Sequence, residues 1–158
     1  APSLVGSEMC IRDRLEIIGD GLEKNNLLTI IKDNNLTDQV TIRSEVNSQE
    51  LCNIYRRAKA LIITSSREGG PRVALEAAAF NLPVFGTNVG IMGELFPQEV
   101  LADPNNEEEI ISLIRSLVPL AKNLDVSAIK ERIFESYTVD SSAKRVGKIY
   151  DSVLSNSL

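Results

Sequence analysis

Five short apolar runs recur along the chain, spaced so that a helix fits between each pair: Leu15–Ile18, Val40–Ile42, Leu61–Thr64, Val84–Phe85 and Val100–Leu101. Runs this short and this continuously apolar are what strands buried on both faces look like, as in a parallel sheet. The segments between them carry helical patterns near Leu22–Asn34, Ser48–Arg57, Pro71–Phe80, Ile91–Phe96 and Glu107–Leu117. Asn106 ahead of three glutamates marks a helix start, because its side chain can cap free amides and acids are favoured in the first turn. Such alternation predicts an α/β fold, a doubly wound parallel sheet with helices on both faces and right-handed crossovers. Ligands of such sheets sit at the carboxyl ends of the strands.

One junction in this pattern carries chemistry. After the strand at Leu61–Thr64 comes Glu68-Gly69-Gly70-Pro71-Arg72-Val73-Ala74-Leu75-Glu76-Ala77. Proline suits the first position of a helix, so the spacing predicts a helix from Pro71 with Gly69 and Gly70 forming the turn. Unpaired N–H groups at such a start, beside glycines that let a ligand approach, suit a phosphate or another anion. Glu68 then lies beside that anion site and Glu76 more than one turn into the helix. A phosphate pocket flanked by two carboxylates suggests a sugar nucleotide. Read alone, the same residues equally fit a loop and a cap, with Glu76 on a solvated face.

Composition narrows the classes. A chain of 158 residues fits one domain that buries roughly 68–70% of its unfolded surface. A net charge of −5 without a basic cluster argues against nucleic acid as the partner. No apolar run approaches the roughly 20 residues of a membrane span. The two cysteines, Cys10 and Cys52, lack metal-ligand spacing and the chain has no histidine, which argues against zinc. Cys52 falls in an apolar helical pattern, fitting a reduced core residue and a cytoplasmic compartment.

The Glu68–Ala77 stretch resembles the glutamate-seven-residue-glutamate signature of the group 1 retaining glycosyltransferases, enzymes with two Rossmann-like domains in the B-type fold. The flanks resemble the family in the family's order. Leu15-Glu16-Ile17-Ile18-Gly19-Asp20-Gly21 is similar to its strand ending in Gly-Asp-Gly. Ala58–Ser66 is similar to the strand leading into the signature, and Asn81-Leu82-Pro83-Val84 to its Gly-x-Pro-Val segment. Thr87-Asn88-Val89-Gly90-Ile91-Met92-Gly93-Glu94 resembles its Gly-Gly-x-Pro-Glu loop, with Ile91 in place of the second glycine and Gly93 in place of the proline.

The resemblance implies the C-terminal, donor-binding half of such an enzyme, spanning residues 15–158, and a transfer of sugar from a nucleoside diphosphate to a glycan or lipid-linked acceptor. Glu68 would be the catalytic carboxylate facing the donor sugar and its phosphate. Gly69, Gly70 and Pro71 would line the pocket, Arg72 would reach phosphate or else stand as a solvated surface arginine, and Glu76 would accept hydrogen bonds from the ribose hydroxyls. Gly90 and Glu94 would hold the donor from the second loop. The nucleotide base is assigned to the loop around Ser44–Val46. No cofactor or metal is implied, because such enzymes stabilise the leaving diphosphate with amide dipoles and basic side chains.

Residues 1–14 do not resemble the family, whose domain begins with a strand ending in Gly-Arg and a helix opened by Lys-Gly. They are read as a non-family or artefactual segment. On that reading the N-terminal acceptor domain is also missing. Such a chain is expected to bind nucleoside diphosphates weakly and to transfer no sugar by itself, while the whole enzyme could associate peripherally with a membrane. Toward the C-terminus, Pro119 is expected to break its helix, Asp125–Lys130 to begin another, and Thr138–Leu154 to form a terminal amphipathic helix. Two alternatives stay open. A sugar-nucleotide epimerase of the same architecture would need acid–base residues that the sequence does not point to. A non-catalytic doubly wound interaction domain would leave the Gly-Gly-Pro helix start unexplained.

Overall fold

The computed structural model describes residues 14–155, excluding the side chains of residues 150 and 153–155. The proposed non-family segment lies outside the described residues but for Arg14, as does Cys10. Contacts divide the chain into two compact units, the first ending at Cys52 and the second beginning at Asn53. Each contains a parallel sheet with flanking helices.

In the first unit β1 (Leu15–Ile18) pairs in parallel with β2 (Val40–Arg43), Leu15 opposite Val40 and Ile18 opposite Arg43. The crossover is α1 (Lys24–Asp33). It ends on Asn35, which takes the left-handed φ of 56°. Leu36 N–H then bonds Ile31 carbonyl at 2.9 Å and Asn35 N–H bonds Lys32 carbonyl at 3.1 Å. That is a Schellman stop built on asparagine, the residue that tolerates this conformation best after glycine. In the loop after β2, Lys24 Nζ donates to Ser44 Oγ and pairs with Asp20 at 3.6 Å.

The opening of α2 (Ser48–Arg57) is a capping box. Asn47 Oδ1 accepts from Glu50 N–H at 2.9 Å, and Glu50 Oε2 accepts from Asn47 N–H at 3.2 Å. Arg43 ties this corner to the sheet, with Nη2 2.9 Å from Glu50 Oε1 and Nη1 3.2 Å from Glu16 Oε1. The Arg43 guanidinium and the Asn47 amide hold the Glu50 carboxyl below the usual carboxylate range. A carboxyl whose pKa falls on folding stabilises the fold above its unfolded value, and that contribution is lost as pH drops through the folded value. Stability is therefore expected to decline below about pH 4. Arg43→Ala should lower the melting midpoint at pH 7 and flatten its dependence on pH below that point. Equal pH slopes in variant and wild type would show that the pairing contributes nothing.

In the second unit the strand order is β3 (Leu61–Ile63), β4 (Val84–Thr87), β5 (Leu101–Ala102), all parallel. The central strand β4 is buried throughout. The alanines of α3 (Arg72–Ala79) form its inner stripe, Ala74, Ala77 and Ala78 having no exposed surface. Their small side chains let the helix lie close to the sheet. This helix also stops on an asparagine: Asn81 has φ 59°, and Leu82 N–H reaches Ala77 carbonyl at 3.0 Å. Asn81 stands where the resemblance calls for glycine, and the two residue types satisfy one backbone requirement. Then follow α4 (Met92–Leu95), a 3₁₀ turn at Gln98–Val100, α5 (Glu107–Asn123), α6 (Ser127–Ser136) and α7 (Val139–Ser155).

Two expectations about this half need correction. Val100 belongs to the 3₁₀ turn, so the last strand starts one residue later, at Leu101. Pro119 does not end its helix, which continues to Asn123. The ring removes only one late amide, the one that would have reached Arg115. Its own carbonyl accepts from Asn123 Nδ2 at 3.2 Å, and Leu120 carbonyl accepts from Leu124 N–H at 3.0 Å. The start of α5 behaves as the sequence predicts, while α6 begins at Ser127, two residues after the expected Asp125. Asn106 accepts from Glu109 N–H at 3.2 Å. Asp125 accepts from Ser127 N–H at 2.9 Å, a bond that holds its carboxyl below the usual range. On α7, Val139, Val146 and Ile149 stand exposed, while Tyr150, Val153 and Leu154 fall among the undescribed side chains. Cys52 is a free, half-buried thiol.

Candidate functional site

The site grows from the carboxyl end of β3. Thr87, the last residue of β4, is 1% exposed and donates through Oγ1 to Ser65 carbonyl at 2.6 Å. That bond fixes where the chain leaves the sheet. Ser65 Oγ in turn donates to Glu68 Oε1 at 3.2 Å, so the exposed Glu68 carboxylate is held against its own loop. A Cβ built on Gly69 would meet nothing within 4 Å, which leaves the outer face of the loop open to a ligand.

Pro71 is buried and is the N-cap of α3, with φ −67° and ψ 101°. The helix thus begins at Arg72, one residue later than expected. Pro71 has the φ of a first helical residue but the ψ of an extended one, so only its carbonyl joins the helix, accepting from Ala74 N–H at 3.0 Å. No side chain caps this helix. Its first amides therefore keep their affinity for an anion, reinforced by the helix dipole. Arg72 is exposed in the first turn.

A second loop closes on the first. Gly90 takes φ +53°, and a Cβ there would fall 2.3 Å from Gly69 carbonyl oxygen and 2.6 Å from Glu68 carbonyl oxygen. The two loops meet backbone to backbone, at a separation only glycine permits. Ile91 follows as the N-cap of α4, its side chain 3.8–3.9 Å from the Cβ position of Gly70. The isoleucine that replaces the family's second glycine thus covers the first loop. Glu94 is exposed within the four-residue α4, and its carbonyl accepts from Arg132 Nη1 of α6 at 2.6 Å.

Glu76 lies half-buried in the second turn of α3, where its Oε2 accepts from Tyr55 Oη at 3.1 Å. Tyr55, near the end of α2, is 5% exposed, and its ring centroid is 5.6 Å from that of Phe80. The structure therefore gathers Glu68, Gly69, Gly70, Pro71, Arg72 and Gly90 around the start of α3. Glu76 lies further along the same helix, and Glu94 on the exposed helix after the second loop. Tyr55, Ser65, Thr87 and Arg132 were not singled out from sequence. Thr87 alone left a signal, a polar residue closing a strand that is otherwise apolar or glycine.

Beyond β5, Asn88, Gln98, Asp103, Pro104 and Glu109 line a polar recess. Its acids serve the local backbone: Glu109 Oε2 accepts from Asp103 N–H at 2.9 Å and Asp103 Oδ1 from Asn105 N–H at 2.8 Å. Among the described residues no group of three or more histidine, cysteine, aspartate or glutamate side chains could hold a metal ion, and no helix is long and apolar enough to cross a membrane.

Residues 12–132 match the family model described as glycosyl transferases group 1, well over half of the chain. The chain belongs to the group 1 glycosyl transferases. This group 1 chain is 25% identical over 144 residues to an uncharacterized glycosyltransferase of Methanocaldococcus jannaschii, covering 87% of the chain and 40% of that protein. It is 26% identical over 139 residues to the O-antigen biosynthesis glycosyltransferase WclY of Escherichia coli, covering 87% of the chain and 38% of the relative. The chain thus spans about two fifths of the length of these relatives. Its fold is similar to that of the sucrose-phosphate synthase of Thermosynechococcus elongatus, with a TM-score of 0.72 at 23% identity, over 90% of this chain and 39% of that one. These findings establish a glycosyltransferase domain with the Rossmann-like α/β architecture of the B-type fold.

Proposed function

We propose that residues 15–158 form the donor-binding domain of a retaining glycosyltransferase that moves a sugar from a nucleoside diphosphate to a glycan or lipid-linked acceptor. The carrying observation is the uncapped start of α3, framed by the Glu68–Gly69 backbone on one side and Gly90 on the other. The donor diphosphate accepts from the first amides of α3, and the Arg72 guanidinium adds a charged donor from the first turn. Gly69, Gly70 and Pro71 line the cradle, Gly90 closes it from the second loop, and Glu94 follows that loop as a further donor-binding residue.

As the glycosidic bond lengthens, positive charge develops on the sugar and negative charge on the diphosphate. Glu68, already oriented by Ser65, stabilises the first and orients the sugar hydroxyls; the helix amides stabilise the second. Glu76, an acceptor-only group when ionised, takes the ribose hydroxyls. These roles need no metal ion or cofactor. The O-antigen relative makes polysaccharide biosynthesis in the cytoplasm the setting that fits, with the acceptor site on a separate domain of the whole enzyme and peripheral contact with a membrane that carries the acceptor.

Titration with UDP, GDP and ADP, followed by ¹H–¹⁵N shifts, tests the reading. The expected result is weak binding that moves Gly69, Gly70, Arg72, Val73 and Gly90, with no sugar transferred by the chain alone. Shifts confined to the recess around Asp103 and Glu109, or none at millimolar nucleotide, would refute it.

A further inference from the structure

We propose that Tyr55 is a positioning residue for ribose recognition: its hydroxyl holds one oxygen of Glu76 so that the rest of the carboxylate meets the hydroxyls of the nucleotide's ribose. The inference rests on the reading of Glu76 given above. Both partners are anchored in ways that make the bond an orienting one. Tyr55 is 5% exposed, its ring is packed against Phe80, and the Arg56 guanidinium carbon lies 5.3 Å from the centroid of that same phenyl ring. The hydroxyl therefore has little freedom, and a buried tyrosyl O–H needs an acceptor. On the other side α3 is seated on the sheet by alanines with no exposed surface. Between these fixed points, only the side-chain torsions of Glu76 are left to adjust, and the 3.1 Å bond to Tyr55 Oη selects among them.

The chemistry of the donor matters as much as its place. An ionised carboxylate has about four acceptor positions, and one tyrosyl O–H uses a single one. A guanidinium in the same place would bind in parallel fashion, take both oxygens and offset the charge. A neutral, single donor orients the carboxylate and leaves acceptor capacity for a diol.

The test compares UDP, GDP and ADP with their 2′-deoxy counterparts on the 158-residue chain. Wild type is expected to favour the ribonucleotide by about tenfold or more, as befits a hydrogen bond to a charged group. Tyr55→Phe retains the ring and is expected to cut that preference about three- to tenfold, weakening the 2′-deoxynucleotide, which keeps only its 3′-hydroxyl for Glu76, less than the ribonucleotide. Glu76→Ala should erase the preference. Replacing Tyr55 by p-aminophenylalanine, which restores a donor at the same point, should recover most of it. A preference that survives Tyr55→Phe but is lost in Glu76→Ala would overturn the positioning role and leave the ribose reading intact. A preference that survives Glu76→Ala would instead overturn the ribose reading. If Tyr55→Phe weakens both nucleotide forms equally, or fails to fold and p-aminophenylalanine restores no preference, the tyrosine is structural and the proposal falls.

Discussion

Gly90→Ala is expected to lower the melting midpoint by roughly 5–15 °C and to abolish the weak nucleoside diphosphate binding proposed above. Two costs add. An L-residue held at φ +53° loses about 1–2 kcal/mol relative to glycine. The new methyl would also stand 2.3 Å from Gly69 carbonyl oxygen and 2.6 Å from Glu68 carbonyl oxygen, so one loop must withdraw from the other. Overpacking of this kind typically costs about 1–3 kcal/mol. A total of about 2–5 kcal/mol translates into a shift of that order for a chain of this length. The loss of binding has a separate cause, because the loop that withdraws is the one carrying Glu68 and the approach to the first amides of α3. Calorimetry and the nucleotide titration read the two effects independently. A variant that melts with wild type and binds as tightly would show that the two loops do not depend on each other.

Much of this arrangement is legible in the sequence, for definable reasons. Buried parallel strands are apolar on both faces, which is why Val84–Phe85 at the centre of the second sheet stands out. Leu15–Ile18 forms the expected strand but is not buried, since it carries Glu16 and Leu15 and Ile18 are exposed. Helix starts such as Asn106 depend on local chemistry and are equally readable. The stops were less readable. Asparagine at positions 35 and 81 does the work expected of glycine, and only the observed left-handed φ reveals it. Pro119 misled in the opposite direction, since a proline late in a helix removes one bond and need not end the helix. What stayed hidden depends on separation along the chain. Tyr55 and Glu76 are twenty-one residues apart, and Arg132 reaches Glu94 across thirty-eight. Nothing in either local pattern marks the partner. Glu68 and Glu76 were identifiable as a pair of acids in a signature; the tyrosine that orients one and the serine that orients the other were not.

Gly86→Ala is expected to destabilise the second unit by about 3 kcal/mol or more, a melting shift of roughly 6–12 °C or greater. Gly86 sits opposite Ile63 in the parallel ladder and opposite Leu101 on its other side. A Cβ there would lie 2.3 Å from Ile63 carbonyl oxygen. A flexible side chain could turn aside, but a carbonyl in a ladder cannot move without taking β3 with it. The consequence reaches the site, because the residue after Gly86 is Thr87, whose 2.6 Å bond to Ser65 fixes the root of the Glu68 loop. Thr87→Val separates the two effects. It leaves the strand spacing intact and removes only the hydroxyl, at a cost of about 0.5–1.5 kcal/mol for the lost bond to the half-buried Ser65 carbonyl. If strand spacing sets the loop, Gly86→Ala should displace the ¹⁵N shifts of Gly69 and Gly70 at least as far as Thr87→Val does. Should it melt within a degree or two of wild type with those shifts unmoved, the close approach of β3 and β4 would not be what delivers Glu68 to the start of α3.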